Sequence, residues 1–321
     1  MIVRAELQAL REDNLPQRRA QADLAGIMAA WRASRLGSGL EQSIQAYARG
    51  ELLEHLPPLA RLFAPGERAA RHLADEFIGK FAGALRANPW GQVPVPSKLD
   101  DVSATIVLAA AGNAVLVLQA LDGAALQVRR AAPTASFSPG ETHDHILGGA
   151  ATARCIELTE GEGDRAELSV TPCELAPGSV ARRDGSRQSL LIDAVSSTLV
   201  ILRLQRRPAN GSVTREFNLA DGTLAHQATA NPRESRFELA AALLGRMGRR
   251  DAAPLLAAMA EEQGGQSLRW QALKESLGLN TAAGFAALSN VAARPGDALA
   301  ASAGALRAQL IATYPELAEV A

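Results

Sequence analysis

His143, Asp144 and His145 stand together in residues 133–149 (PTASFSPGETHDHILGG), just after a Pro-Gly turn, in a run that reads as β-strand. Alternate residues of a strand project to the same face, so the two imidazoles converge on one side of a sheet. Two histidines on one face are the beginning of a metal site. They do not complete one, because a divalent ion takes three or four protein ligands, with any open position for water or substrate. Asp184, Glu141, Asp144 and Gln188 are the side chains that would fill the set, and the expected metal donors are His143, His145, Asp184 and Gln188.

Other chemistry is sparser. The chain has no GxSxG elbow, no P-loop and no GxGxxG, and no cysteine-histidine arrangement stands out. His55 and His72 fall on predicted helices away from any partner motif, and His226 follows an Asp-Gly hairpin signal. Arg182, Arg183 and Arg187 with Arg203, Arg206 and Arg207 form a cluster read as edge and turn charges that block strand-to-strand association. Alternation sets Arg203 opposite Leu202 and Leu204, on the solvent side. Cys155 and Cys173 lie in predicted strands as small apolar fillers. Gly148-Gly149 reads as a turn or bulge.

The elements that must position these residues change character twice. From about residue 16 to 87 the apolar spacing is helical: Leu24, Ile27, Met28 and Trp31; then Leu40, Ile44 and Tyr47; then Leu73, Phe77 and Phe81. Ser38 with Glu41 has the spacing of a capping box after a break at Gly37. Residues 88–100 hold three prolines and read as a linker. Short aliphatic runs follow at 104–109, 114–118, 153–158, 167–170, 189–192 and 198–204. Turn signals separate them at Gly112-Asn113, Asp122-Gly123, Gly161–Asp164, Asp184-Gly185, Asn210-Gly211 and Asp221-Gly222. Strands at this spacing indicate a sandwich or barrel rather than βαβ units. From residue 233 helices return with an internal echo: Arg236-Phe237 falls on Arg269-Trp270 and Leu244-Gly245 on Leu277-Gly278 at an offset of 33. This resembles HEAT-type helical repeats.

The middle segment resembles the cupins, a family of small jelly-roll barrels. The resemblance rests on Phe137-Ser138-Pro139-Gly140, on His143 and His145, and on the strand-turn-strand from Leu175 through Ser179 to Arg183-Asp184-Gly185-Ser186-Arg187-Gln188. It implies an antiparallel jelly-roll barrel that holds Fe, Mn, Ni or Zn on three histidines and a glutamate. The glutamate slot here holds Gly149 or Ala150, and Gln188 stands nearest the third histidine. The expected architecture is α+β. A cupin-like barrel at 100–230 lies between an N-terminal helical region with linker at 1–99 and a HEAT-like helical region at 231–321.

Composition bounds the function. Hydrophobic residues make up 47% of 321, which fits a globular fold. With 33 basic and 34 acidic side chains there is no global case for nucleic acid or anionic membrane. The arginine cluster has no interleaved aromatics to stack bases. Lys80, Lys98 and Lys274 are the only lysines; with so much alanine, this reads as coding bias in a GC-rich, bacterial genome. Two cysteines without a CxxC, and an N-terminus without an apolar core, point to the cytoplasm. No apolar stretch reaches the roughly 18 residues of a spanning helix.

The expected function is a non-catalytic protein- or ligand-binding protein, scaffold or regulatory, without a cofactor. A degenerate cupin core would take a small molecule or nothing, and the helices would dock another protein. Homodimers through barrel edges follow from the resemblance. The alternative is a metal-dependent cupin enzyme, an Fe(II) dioxygenase using His143 and His145, because two histidines and a carboxylate suit oxygen chemistry. A third idea is a sensor in which barrel occupancy alters what the helices bind.

Overall fold

The computed structural model describes residues 13–319 apart from Glu67, 129–131, Gly163, 209–212 and 230–231. The turn expected at Asn210-Gly211, and part of that at Gly161–Asp164, lie outside the described residues. The chain is α+β with antiparallel sheets, and it divides into two compact units: residues 1–135 with 140–207, and residues 136–139 with 208–321.

The first unit opens with helices α1 (Leu15–Ala33), α2 (Arg35–Ala48), α3 (Pro57–Ala60) and α4 (Ala69–Ala87). The predicted stripes are their buried faces: Leu24, Met28 and Trp31; Leu40, Ile44 and Tyr47; Leu73, Phe77 and Phe81. Trp31 meets Phe77 edge-on, with ring centres 5.2 Å apart. The helix start differs from expectation. Ser34, not Ser38, caps α2, its Oγ accepting from the Gly37 amide at 3.2 Å. Ser38 already lies inside the helix and donates to the Ser34 carbonyl. Gly37 is helical rather than a break, because a Cβ there would run into the Trp31 carbonyl where α1 turns into α2. A glycine needed for close approach gives the same signal as a helix terminator.

Ten strands follow before residue 207: β1 (Ser97–Leu99), β2 (Ser103–Ala111), β3 (Ala114–Asp122), β4 (Thr134–Phe137), β5 (Glu141–Gly148), β6 (Ala151–Glu162), β7 (Arg165–Leu175), β8 (Val180–Asp184), β9 (Gln188–Val195) and β10 (Thr198–Arg206). All six predicted runs lie within them. Asp122-Gly123 does not close a hairpin; it starts a short helix, α5 (Gly123–Val128), with Asp122 Oδ1 accepting from the Ala125 amide. β1, which lies inside the segment read as a linker, pairs with β2. One sheet has the order β1-β2-β3-β10-β5-β8 and a second the order β7-β6-β9. Strand 10 lies between strands 3 and 5, strands 6 and 9 pair in the other sheet, and the two antiparallel sheets pack as a β-sandwich.

Both faces of the larger sheet are covered. Ile146, Leu199 and Ile201 from it pack against Ala151, Ala153, Leu175 and Val195 from the smaller sheet. On its other face Leu116, Leu118, Leu202 and Leu204 join the helical layer in one core with Leu24, Tyr47, Leu62 and Phe77. β5 therefore runs between two hydrophobic cores.

In the second unit β11 (Val213–Asn218) and β12 (Leu224–Thr229) form a hairpin at Asp221-Gly222 and complete a sheet with β4 in the order β12-β11-β4. Phe137 and Phe217 meet at 6.0 Å. Helices α6 (Pro232–Arg246), α7 (Ala253–Glu261), α8 (Gln266–Leu279), α9 (Thr281–Ala293) and α10 (Ala300–Thr313) share a core that includes Leu256, Leu273, Phe285 and Leu288. Within it the Arg269 guanidinium forks onto Asp297, at 3.0 and 2.6 Å, and its Nε donates to the Ala260 carbonyl. Among the described residues no helix is long and apolar enough to cross a membrane.

Leu204 is fully buried where sheet meets helices. Leu204→Ala is expected to cost about 2–5 kcal/mol through lost burial and a residual cavity, read as a lower urea midpoint with an unchanged slope.

Candidate functional site

Alternation along β5 sorts its polar residues onto two faces. Register fixes which: His143 lies opposite Leu204 and His145 opposite Leu202, whereas Asp144 lies opposite Arg203. Leu202 and Leu204 belong to the core shared with the helices. The two histidines thus converge on one face, as expected, and that face is the one covered by α2–α4, not the one between the sheets.

Each imidazole meets the helical layer. His145 is buried and its Nδ1 lies 2.6 Å from the Leu62 carbonyl. A carbonyl only accepts, so this nitrogen carries the proton. His143 packs against Phe63, with ring centres 5.8 Å apart, and more loosely against Tyr47. Its Nε2 lies 3.1 Å from Glu141 Oε1, close but without the alignment of a hydrogen bond. Burial pushes the His143 pKa below the ordinary imidazole value despite the carboxylate beside it.

Glu141 organises the open end of this face. Its Oε2 accepts from the Tyr47 hydroxyl at 3.0 Å and from Arg206 at 2.9 Å, and its Oε1 forms an ion pair with Arg182 at 2.7 Å. Burial opposes its charge, but the tyrosine hydroxyl, the His143 imidazole and the two guanidiniums together outweigh it and hold the pKa below the ordinary value. Burial, and then the charge of Glu141, push the Tyr47 hydroxyl well above the ordinary phenol range. Arg206 stacks 4.1 Å over the Tyr47 ring and donates to the carbonyls of Tyr47 and Glu51. Arg71 on α4 donates to the Leu147 carbonyl at 2.7 Å.

On the opposite face Asp144 is 2% exposed and held in a fork: Arg203 reaches Oδ1 at 2.6 Å and Oδ2 at 3.0 Å, and Arg183 reaches Oδ2 at 2.5 Å. Arg203 does point away from Leu202 and Leu204, but not to solvent. The sheet has a second covered face, and the Asp144 carboxylate turns the arginine inward. Burial works against the charge on Asp144, yet the two guanidiniums, Arg203 foremost, hold its pKa below the ordinary value. Two cationic groups share one anion here, a geometry suited to bidentate pairing.

The other expected donors are engaged elsewhere. Asp184 lies opposite Glu141 at the end of β8, and its Oδ1 accepts from the Ser186 amide and hydroxyl. Gln188, on β9 in the smaller sheet, accepts from the Asp184 amide. The family's glutamate slot cannot be refilled simply, since Gly149 has φ +77° and a Cβ there would strike the Thr198 carbonyl. Among the described residues no group of three or more His, Cys, Asp or Glu side chains is placed to hold a metal ion. The donors present do not fit one in this arrangement.

Tyr47, Arg183, Arg203 and Arg206 are the residues that spacing did not single out as partners of β5. For the three arginines the one signal was the cluster itself, and Tyr47 stood out only within its helical stripe. Cys155 and Cys173, taken as separate fillers, meet with sulfurs 2.9 Å apart, and burial with the neighbouring thiol pushes Cys173 up to about 11. A thiol so held is protonated at neutral pH and a poor nucleophile.

No family model and no curated protein matches the chain. Among solved structures it is similar to the vicilin of Solanum melongena, at 11% identity over 39% of this chain and 33% of that one, with a TM-score of 0.28. The oxalate decarboxylase of Lactobacillus farciminis, crystallised as a formate complex, gives 12% identity over 41% and 38%, with a TM-score of 0.27. The CENP-C cumin domain of Drosophila melanogaster gives 9% identity over 35% and 72%, also with a TM-score of 0.27. The chain spans about a third of the vicilin it matches. At scores this low the likeness carries no argument, and the description of two packed antiparallel sheets stands on this chain's own strand order.

Asp144→Asn leaves two guanidiniums without their counter-charge and is expected to cost about 3–5 kcal/mol at neutral pH. Because the Asp144 pKa is depressed on folding, this contribution is present above the unfolded carboxylate value and lost as pH falls through the folded one. Urea midpoints of wild type and variant should converge as the pH is lowered through that window. His145→Phe keeps the packing but strands the Leu62 carbonyl, with an expected cost of about 1–3 kcal/mol, read by thermal melting.

Proposed function

We propose that this is a non-catalytic binding protein, in which a degenerate cupin-like jelly roll is a rigid scaffold and the helical segments contact a protein partner. The observation that carries this reading is the occupation of β5. The position that faces the space between the sheets is an aspartate neutralised by two arginines, and the paired histidines are spent on joining the helices to the sheet. A jelly roll that used this strand for metal chemistry would need imidazoles where Asp144 stands.

The helical part supplies the second support. On α6, Leu239, Leu243 and the following Met247 recur at helical spacing and are 70%, 58% and 59% exposed. A continuous apolar stripe on a surface helix marks an interaction site more often than chance exposure. Successive long helices α6, α8 and α10 begin at Pro232, Gln266 and Ala300, near the offset read from the sequence. We take 231–321 as a HEAT-like repeat region on that basis, with 1–99 and 100–230 as the helical and cupin-like segments. Cytoplasmic residence, a bacterial source and self-association through sheet edges belong to the same proposal.

Two measurements test it. Protein purified without a His-tag should carry no stoichiometric Fe, Mn, Ni or Zn, and none of these ions should raise its melting temperature. A tightly held ion lost on His143→Ala would instead establish the dioxygenase alternative. The chain should recover a specific partner from its source cell, and Leu239→Glu with Leu243→Glu should abolish recovery while the melting temperature stays unchanged. Equal recovery by the double variant would remove α6 as the docking face.

A further inference from the structure

The helical layer of the first unit encloses a cleft of about 760 Å³ that β5 does not reach. Its floor is apolar, from Leu36, Pro57, Pro58 and Leu62, and its rim carries Arg35, Arg61 and Arg68. That volume falls in the range of small-molecule sites, which pair an apolar lining with a few placed polar groups.

The charge on the rim is one-sided. Among the described residues none of the three guanidiniums has a hydrogen-bond or ion-pair partner. The one acidic side chain lining the cleft, Glu76, is already matched by Lys80 at 2.9 Å and lies 3.9 Å from His72. The amino end of α4 opens on the same space through Arg68 and Ala69, with no side-chain cap and no acidic residue in its first turn. The uncapped amides and helix dipole add to the positive field of the arginines. Elsewhere in this unit the half-buried Arg183 and Arg203 are paired with the Asp144 carboxylate. Here Arg35, Arg61 and Arg68 line an apolar hollow whose one acidic side chain among the described residues, Glu76, is paired with Lys80 instead.

We propose that this cleft binds a small amphipathic anion: an organic carboxylate, sulfonate or phosphate ester whose apolar body rests on Leu36, Pro57, Pro58 and Leu62 while its head group is forked by Arg35, Arg61 and Arg68. Guanidiniums match such oxyanions in bidentate fashion, and the apolar floor excludes a bare inorganic ion as the preferred ligand. The site stands whether or not the scaffold reading holds, because it uses no residue of β5 and none of α6.

Gly39 offers a way to close the cleft without touching the charges. It lines the cleft from within α2, and a Cβ built on it meets only Pro58 Cγ at 3.9 Å. The experiment is a fluorescence titration of the full chain with anilinonaphthalene sulfonate, alongside the uncharged analogue N-phenylnaphthylamine. Wild type is expected to bind the sulfonate saturably at one site. Replacing all three arginines (Arg35→Gln, Arg61→Gln, Arg68→Gln) should weaken sulfonate binding about tenfold or more, as expected for lost hydrogen bonds to a charged group, and leave the neutral analogue within about twofold. Gly39→Phe should abolish binding of both probes with the melting temperature retained. Absence of saturable sulfonate binding by wild type would overturn the proposal, as would equal sulfonate affinity in the triple variant or undiminished binding by Gly39→Phe. Binding to phosphatidylglycerol vesicles without binding of the soluble sulfonate would overturn it too, and would assign the arginines to a lipid surface.

Discussion

A strand buried on both faces has no solvent to satisfy its polar side chains, and β5 is such a strand. Five consecutive residues, His143 to Leu147, are buried, and three of them are ionisable. Each must find a partner inside the protein or bear a desolvation cost of several kcal/mol. Much of the first unit's polar architecture answers that constraint. The 3₁₀ turn at Arg61–Phe63 brings the Leu62 carbonyl onto His145, and two neighbouring strands each turn an arginine onto Asp144.

The same constraint accounts for the attachment of the helices. Apolar burial alone is non-directional and would let α2 and α4 slide over the larger sheet. Directional bonds fix the register: Tyr47 to Glu141, Arg206 to the carbonyls of Tyr47 and Glu51, and Arg71 to the Leu147 carbonyl. Most of these converge on β5 or on its neighbour β10. The His-Asp-His sequence is thus accounted for as a two-sided connector, with imidazoles toward the helices and a carboxylate toward the opposite sheet.

The packed antiparallel sheets and the arginine-rimmed cleft are two distinct parts of the first unit. Strand pairing, the aliphatic core between the sheets and the arginine fork leave Asp144 buried and fully paired. The cleft among the helices is open, apolar at its base and short of negative charge. Binding is more naturally sought there than at the strand whose motif first draws attention.

Much of this was legible in the residues alone. Period and turn chemistry located six strand runs and the N-terminal helical stripes, because those signals are local: side-chain direction repeats every two or 3.6 residues whatever the partner. That His143 and His145 share a face, and that Arg203 opposes Leu202 and Leu204, were likewise local facts. Local signals failed where one residue serves two purposes: Gly37 packs a helix corner instead of ending a helix, and Asp122-Gly123 starts a helix instead of closing a hairpin. What lies over each face is a matter of which distant segment packs there, and no spacing encodes it. Only the tertiary structure decided that helices cover the histidines, that Asp144 sits between two arginines, and that Arg35, Arg61 and Arg68 come together from three separate stretches of chain.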